Sequence, residues 1–316
     1  MTSKNPVKVL QIINDLGMGG GEIYVLKLSG ILPKDQYEVV CTCKKGQIFH
    51  KNLLAEGIRP FVVDLSKKMA PVTVMKTVKF VSSQGIDILH AHGATGSLYG
   101  RMVSVITGRP LVTTYHVAIT KITDITWLKR LFYSYADRIL SLIDKKIIAV
   151  SEAVKKEMVE RLYFRDSRVE VLYAGVDLEG CASITRAEAR ERLGLCNKAS
   201  CIGVTGRLSP EKGIHVLLKA MSLLTKDIPD AFLIITGDGP IKEKLINQAA
   251  SLGLTDRCLF LGYREDVPDI LAALDLLVLP SLTEGFPLIV LEGMANAKPV
   301  IASKIGGVTE QIVDGE

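Results

Sequence analysis

Short apolar runs alternate with segments of helical length along the chain, and this alternation constrains the fold more than any other feature. Because each run is apolar almost throughout, the strands it predicts are parallel and buried on both faces of a sheet. The strands predicted in the first half are Val7–Ile13, Tyr37–Cys43, Pro60–Leu65, Ile86–His90, Pro110–Tyr115, Lys146–Val150 and Val169–Tyr173.

The alternation stops once and then resumes. Residues 174–197 contain one short basic helix and resemble a connection between domains. The strands predicted after it are Cys201–Gly206, Phe232–Thr236, Leu259–Gly262, Leu276–Leu279 and Val300–Ala302. We therefore expect an α/β protein of two doubly wound, Rossmann-like domains, residues 1–176 and 177–316, facing a cleft. Such sheets bind ligands beyond the carboxyl ends of their strands, so the loops there hold the candidate sites.

Composition excludes several classes. Hydrophobic residues make up 48% of the chain, which is typical of a globular core and not of a disordered protein. No apolar run reaches the roughly 18 residues that span a bilayer, and the first residues lack a signal-peptide pattern, so we expect a cytoplasmic protein. Residues 1–180 carry 25 Lys and Arg against 17 Asp and Glu, whereas the remainder carries 14 against 17. The basic first half and the faintly acidic second half are expected to have different tasks.

A glycine-rich loop, residues 17–22, follows the first predicted strand. Consecutive glycines let a ligand approach the backbone, and the helix that follows offers free N–H groups to an anion. Gly20 and Gly21 are the predicted contacts. A dinucleotide fingerprint would require Gly where Glu22 stands and an acidic residue after the second strand, where Lys44 stands, so nicotinamide binding is disfavoured.

Two cations follow the first strand of the second domain. Arg207 comes directly after Gly206, and Lys212 precedes the next helix. The planar fork of Arg and the point charge of Lys, beside a helix N-terminus, suit a diphosphate. The alternative is that both are solvated surface cations.

The segment from Glu284 to Glu292 carries two carboxylates eight residues apart. Gly285 permits close backbone approach, and Pro287 is suited to begin a helix. Glu292 is eight residues after Glu284, about two helical turns, so a helix begun near Phe286 would place it within about a turn of the ligand. Carboxylates can accept hydrogen bonds from sugar or ribose hydroxyls. Ordinary surface glutamates are the alternative, particularly for Glu292.

Together these motifs resemble the family 4 retaining glycosyltransferases, which have the two-domain GT-B fold. The segments that carry the resemblance are the loop before Glu22, Asp87–His92, Thr114–His116, Ala149–Glu152, Gly206–Gly213, Thr236–Pro240 and Leu261–Ile305, which contains the Glu-x7-Glu motif of the family. The resemblance implies a glycosyltransferase of the hexosyltransferase type. It also implies a nucleotide-diphosphate-sugar donor bound mainly by the second domain and an acceptor bound on the side of the first.

The resemblance also assigns roles to individual residues. Arg207 and Lys212 are expected to hold the diphosphate, and His116 to reach the donor sugar near the reaction centre. The alternative for His116 is a structural histidine at the end of a strand. The remaining donor contacts implied are Glu284, Gly285, Phe286, Pro287 and Leu288 at the sugar and phosphate, Glu292 at the ribose, Tyr263 near the base, and Gly20, Gly21 and Gly206 beside the phosphates.

The chemistry is expected to need no metal or other cofactor. No two Asp stand two residues apart, so the Asp-x-Asp motif that holds a divalent metal in other sugar transferases is absent from the sequence. Fixed cations and helix N-termini can stabilise the leaving diphosphate instead. His90 and His92 share a strand face without a cysteine or carboxylate beside them, which disfavours a metal site. Retention of anomeric configuration follows from the resemblance alone.

The acceptor is expected to be a glycan or a lipid-linked glycan of cell-surface polysaccharide or lipopolysaccharide biosynthesis. Residues 123–143 show apolar positions at helical spacing beside basic ones, and Lys67, Lys68, Lys76 and Lys79 form a second basic stretch. Such surfaces suit anionic lipid headgroups and predict a peripheral position on the inner face of the cytoplasmic membrane. The alternative is a core stripe with solvated cations. No nucleic-acid-binding module is recognised.

Two departures from the family pattern leave other functions open. Residues 173–177 read Tyr-Ala-Gly-Val-Asp where the family commonly has Pro-Asn-Gly-Val-Asp. The sequence also ends at Glu316 where family members continue, so the second domain is expected to be truncated at its C-terminus. The alternative functions are a non-catalytic nucleotide-sugar-binding partner subunit and a GT-B sugar-nucleotide epimerase.

Overall fold

The computed structural model describes residues 5–15, 17–66, 70–117, 137–178 and 181–315. The chain divides into two compact units, residues 1–173 and 174–316. Each unit contains a parallel sheet with helices around it, as the alternation of apolar strands and helices predicted.

The first unit has a seven-stranded parallel sheet in the order β3-β2-β1-β4-β5-β6-β7. The order reverses between β1 and β4, which is the topological switch point where such sheets bind ligands. The strands are β1 Val7–Ile13, β2 Tyr37–Cys43, β3 Arg59–Val62, β4 Ile88–His92, β5 Leu111–Tyr115, β6 Lys146–Ala149 and β7 Val169–Val171. The helices are α1 Gly20–Ile31, α2 Ile48–Ala55, α3 Pro71–Gln84, α4 Gly93–Thr107 and α5 Glu152–Leu162.

The two faces of this sheet differ in chemistry. Leu10 and Ile12 of β1 are fully buried in an apolar core with Leu89 of β4 and Val103 of α4. Because strand side chains alternate between faces, Gln11, which is paired in register with His90, points to the opposite side. The side that faces α1 therefore carries polar groups where an apolar layer would be expected.

A buried ion network lies on β5 and α4. The Arg101 guanidinium, 2% exposed, binds both carboxylate oxygens of Asp144, at 2.9 and 2.7 Å, and also pairs with Asp137. The Tyr115 hydroxyl accepts from Arg101 at 3.0 Å and donates to Asp137 at 2.7 Å. The cation and its two carboxylates thus satisfy one another, which is the condition for burying charge at tolerable cost.

The second unit has a five-stranded parallel sheet in the order β10-β9-β8-β11-β12. Its strands are β8 Ser200–Thr205, β9 Ala231–Thr236, β10 Cys258–Gly262, β11 Leu276–Leu279 and β12 Val300–Ala302. Its helices are α6 Arg186–Arg192, α7 Ile214–Asp227, α8 Lys242–Ser251, α9 Val267–Ala273 and α10 Leu288–Ala295. Leu218, Leu233 and Ile235 are among the fully buried core residues.

The segment interpreted as a connection, residues 174–197, instead contributes to the second unit. Its helix α6 begins with a capping box of Thr185 and Glu188. Arg190 is fully buried and donates to the backbone oxygen of Ala273 at 2.9 Å and to the carboxylate of Asp275 at 2.6 Å. Arg190, one of the basic residues of this helix, is therefore structural.

Across the described ranges, no helix combines the length and the apolar character needed to cross a membrane. Most of the predicted amphipathic stretch, residues 123–136, lies outside the described residues, as do Lys67 and Lys68. Of the apolar positions that are described, Ile139 is 62% exposed and Leu142 is 67% exposed. These two residues are therefore not part of the core.

Candidate functional site

The loop after β8 leads into a short 3-10 helix, Pro210–Lys212, which Gly213 ends in the left-handed conformation, with φ 66°. A Cβ atom at Gly213 would lie 1.9 Å from the backbone oxygen of Pro280, so the loops after β8 and β11 pack closer than any other residue permits. Arg207 is half-buried in this loop, and within the described ranges its guanidinium has no hydrogen-bond or ion-pair partner. This packing brings Lys212 to the loop after β11.

Lys212 and Glu284 form the centre of the site in the second unit. The Lys212 ammonium donates to Oε1 of Glu284 at 2.6 Å, and the Ser281 hydroxyl donates to the same oxygen at 2.6 Å. Glu284 is only 7% exposed, so this charge-assisted pair is largely shielded from water. Both charged residues were expected from the sequence to contact a ligand, but their pairing with each other was not predicted.

A third segment supports the Glu284 loop from the C-terminal side. A Cβ atom at Gly306 would lie 2.0 Å from the backbone oxygen of Glu284, and Gly307 donates its N–H to the oxygen of Gly285 at 3.0 Å. Sequence reasoning missed Ser281 and these glycines. Ser281 stands three residues before Glu284, but nothing local indicates that its hydroxyl turns towards the carboxylate.

The other residues predicted for this unit lie after the carboxyl ends of its strands. Pro287 caps α10, which begins at Leu288, one residue later than the proline was expected to begin it. Glu292 is half-buried in the fifth position of α10, about 6 Å along the helix axis from its start. Tyr263 follows β10 and is half-buried. The remaining residues are Gly206, with φ 152°, the buried Gly285 and the half-buried Phe286 and Leu288.

In the first unit, the glycine-rich segment is partly helical. Gly20 and Gly21 are the first two residues of α1, and Gly19 is its N-cap. The loop before them is shaped by Asp15, 3% exposed, whose carboxylate accepts from the N–H groups of Gly17 at 3.1 Å and Lys44 at 3.0 Å. Space is open around Gly20, because a Cβ atom there would meet nothing within 4 Å. The Glu22 carboxylate, however, accepts from the N–H of Gly19 at 3.2 Å, so an anion bound at the first turn of α1 would lie close to a negative charge.

His116 follows β5 and lies in a cluster of imidazoles. Its Nε2 is 3.3 Å from Nδ1 of His92, whose Nε2 is 2.7 Å from Oε1 of Gln11. Nε2 of His90 is 2.8 Å from the hydroxyl of Thr114. His116 was predicted from the sequence, but its link to Gln11 was not, because Gln11 and Lys8 are simply the two polar residues of an otherwise apolar strand.

The environment keeps these imidazoles neutral. Burial lowers the pKa of His90 and of His116 to about 4, and it lowers the pKa of His92 well below 6.5. Neighbouring imidazoles add to the shift for His90 and His92, because like charges disfavour protonation. Each of the three rings therefore carries a single ring proton near pH 7.

The described part of the chain contains no group of three or more His, Cys, Asp or Glu residues arranged to hold a metal ion.

Comparison with known proteins identifies the family of the chain. Residues 18–179 match Glycosyltransferase Family 4, and residues 185–316 match Glycosyl transferases group 1. The chain is 30% identical over 288 residues to UDP-Gal:alpha-D-GlcNAc-diphosphoundecaprenol alpha-1,3-galactosyltransferase of Escherichia coli, covering 88% of this chain and 74% of that protein. It is also 30% identical over 246 residues to alpha-D-kanosaminyltransferase of Streptomyces kanamyceticus, covering 72% of this chain and 62% of that protein.

Comparison with solved structures shows which fold the chain has. The crystal structure of Anabaena HepE in complex with UDP and glucose matches with a TM-score of 0.85 and 26% sequence identity, over 98% of this chain and 84% of that one. WaaG, a glycosyltransferase involved in lipopolysaccharide biosynthesis, has the same fold, with a TM-score of 0.74 and 15% identity over 98% of this chain and 84% of that one. The chain therefore has the GT-B fold, belongs to glycosyltransferase family 4 and is a glycosyltransferase.

Proposed function

We propose that the protein transfers a sugar from a nucleotide-diphosphate sugar to a hydroxyl of a glycan or lipid-linked acceptor in cell-surface polysaccharide or lipopolysaccharide biosynthesis. The observation that carries the proposal is the shielded Lys212–Glu284 pair beyond the carboxyl ends of β8 and β11. The ligands and acceptors of similar proteins support the proposal, since HepE binds UDP and glucose and the Escherichia coli relative acts on a lipid-linked sugar.

The site can bind both ends of such a donor. An ammonium has three protons, so Lys212 can donate to Glu284 and still meet a phosphate oxygen. Arg207 lies in the same loop and offers a planar fork for bidentate phosphate contact. The second carboxylate oxygen of Glu284 can accept from a sugar hydroxyl. Glu292 and Tyr263 are proposed to contact the ribose and the base.

Transfer is proposed to require no metal, because Arg207 and Lys212 can stabilise the leaving diphosphate as fixed cations. Full activity in excess chelator is the expected result, and activity that is lost with chelator and restored by a divalent metal would contradict it. We also propose retention of anomeric configuration, and NMR of the product sugar would test it.

Donor binding is testable by thermal shift with UDP-, GDP- and ADP-sugars, followed by turnover of the hits with lipid extracts as acceptors. Removing one electrostatic donor typically lowers the rate 10²–10³-fold, so Lys212→Met should lower turnover by about that factor. Glu284→Gln should weaken sugar binding while its amide still contacts Ser281. The matched control is Lys226→Met, at an exposed lysine in the last turn of α7.

If Lys212→Met turned over the donor like Lys226→Met, the proposed donor site would be wrong. Donor binding without turnover across all acceptors would favour a non-catalytic binding subunit, and conversion of the donor without acceptor would favour an epimerase.

The first unit is proposed to dock on anionic lipid. A largely apolar cavity of about 450 Å³ is lined by α3, α4 and residues 140–143. Val105 and Met75 on its lining are 64% and 57% exposed. Exposed basic residues, Lys79 on α3 and Arg138 and Lys145 beside residues 140–143, supply charge that attracts anionic headgroups, at about 1 kcal/mol for each cation near the surface.

Cosedimentation with phosphatidylglycerol vesicles tests this docking, with phosphatidylcholine vesicles for comparison. Anionic vesicles should retain the protein, and Met75→Ser combined with Val105→Ser should weaken retention. Leu223→Ser, at a 63% exposed position in the second unit, is the control. Equal retention by both vesicle types would contradict docking on anionic lipid.

A further inference from the structure

The imidazole cluster of the first unit forms a directional chain of hydrogen bonds. Gln11 is 1% exposed and His92 is 3% exposed, whereas His116 is only half-buried, so the chain runs from the interior towards the surface. Tyr24 of α1 packs edge-on against the His116 ring, with centroids 4.9 Å apart. His116 is thus held on one side by His92 and on another by Tyr24.

The direction of the chain follows from the amide oxygen of Gln11, which can only accept. His92 must then donate from Nε2 to Oε1 of Gln11, at 2.7 Å. A neutral imidazole has one N–H, so Nδ1 of His92 is an acceptor and takes the Nε2 proton of His116, at 3.3 Å. His116 is left with an unprotonated Nδ1, for which the described residues supply no donor.

We propose that Gln11 and His92 are positioning residues that fix the tautomer and ring orientation of His116, so that its Nδ1 offers a lone pair to a hydroxyl of the reacting sugars. The proposal rests on the proposed function for the identity of that hydroxyl, but the relay itself is a property of the free protein. Gln11 and His92 are too buried to be exposed to a ligand themselves, and their hydrogen bonds link them to His116.

Burial of the cluster makes this arrangement stable near neutral pH. Because burial lowers the pKa of both His92 and His116, neither ring takes a second proton that would convert the acceptor nitrogen into a donor. The side-chain nitrogen of Gln11 is buried without a hydrogen-bond partner within the described residues. Turning the amide over would direct this nitrogen at His92 and reverse every tautomer in the chain, leaving Nδ1 of His116 as a donor.

The test is long-range ¹H–¹⁵N NMR on protein labelled in its five histidines, without donor or acceptor. We expect the wild-type spectrum to show His116 and His92 with protonated Nε2 and unprotonated Nδ1. Gln11→Met, which has similar volume and no acceptor oxygen, should give His116 a mixture of tautomers. Ser29→Ala is the control, because Ser29 is buried on the same side of the sheet, contacts Cys41 and takes no part in the relay.

Kinetics supply a second readout. Loss of a residue that orients a metal-bound histidine typically costs 10- to 100-fold in activity, and we expect Gln11→Met and His92→Phe, which lose an analogous contact, each to lower kcat by about this factor with little change in donor KM. Because both act through His116, the double variant should be no worse than His92→Phe alone. Ser29→Ala should match the wild type.

A protonated Nδ1 on His116 in the wild type, or an unchanged tautomer in folded Gln11→Met, would overturn the relay. A wild-type protein that shows the expected tautomers but turns over no sugar nucleotide would support the relay and contradict the proposed function. Failure of the relay and failure of the proposed function can therefore be distinguished.

Discussion

Gly213 offers a sharp test of how backbone packing creates the site in the second unit. It ends the 3-10 helix with φ 66°, and a Cβ atom would lie 1.9 Å from the oxygen of Pro280. Gly253 is a natural control, because its φ is 70° and a Cβ atom there would meet nothing within 4 Å. Gly213→Ala and Gly253→Ala therefore share the backbone strain of a left-handed alanine, roughly 1–2 kcal/mol, and only the first adds a collision.

The collision determines how much less stable Gly213→Ala is than Gly253→Ala. Real Cβ contacts essentially never fall below 3.0 Å, so relieving it requires a movement of at least about 1 Å between the two loops. Overpacking of this kind costs about 1–3 kcal/mol. The same movement would stretch the 2.6 Å contact between Lys212 and Glu284 beyond hydrogen-bonding distance.

Urea denaturation and donor turnover measure the two effects. We expect Gly213→Ala to be about 1–3 kcal/mol less stable than Gly253→Ala. Under conditions where both remain folded, we also expect it to lose at least tenfold in turnover, whereas Gly253→Ala keeps wild-type turnover. Equal stability and equal turnover in the two variants would refute the reasoning that close packing of these loops positions the pair.

Arg101→Met should destabilise the first unit by about 3–5 kcal/mol in urea denaturation followed by circular dichroism, because it leaves two buried carboxylates without their cation. Arg161→Met should cost no more than about 0.5 kcal/mol, since Arg161 is 61% exposed and pairs with Glu157 of the same helix. A similar loss of stability in Arg101→Met and Arg161→Met would contradict this view. Acidification should also destabilise the protein. The pKa of His90 and of His116 is about 4 when folded, below the ordinary 6.5, so the folded state binds fewer protons and stability present above pH 6.5 is lost as the pH falls towards 4. The loss should reach up to about 2 kcal/mol for each histidine at pH 5, by 1.36 kcal/mol per pH unit, and thermal melts of the wild type that do not change between pH 7 and pH 5 would count against it.

The fold was largely predictable because buried parallel strands are apolar along their whole length. Leu276–Leu279 and Val300–Ala302 begin and end where the apolar runs do. The beginning of β4 was less clear, because Ile86 extends the apolar run while the strand begins at Ile88. An apolar run indicates which residues are buried. Residues next to a strand, such as Ile86, can be buried without belonging to its hydrogen-bonded ladder.

The candidate site was predictable only in the types of residue that it contains. Lys212 and Glu284 were identified from their positions after strands, but their contact joins residues 72 apart in sequence and depends on Gly213 and Gly306 bringing three loops together. The role of Gln11 could not be predicted from the sequence for a similar reason. A polar residue in a mostly apolar strand can be assigned a role only when the partner strand places His92 beside it.

The polar side of the first sheet has a consequence for the order in which the protein opens. Helix α4 places Tyr99 and Val103 in the apolar core and is also held by the buried ion pairs of Arg101. Helix α1 buries Tyr24 and Val25, but its other buried residues are the polar Glu22 and Ser29, and Tyr24 packs against imidazole rings. Helices held by little apolar contact open at lower free energy than the global transition. Backbone amides of α1 are therefore expected to exchange with solvent before those of α4. The glycine-rich start of α1 can then rearrange around an arriving ligand while the sheet beneath it stays intact.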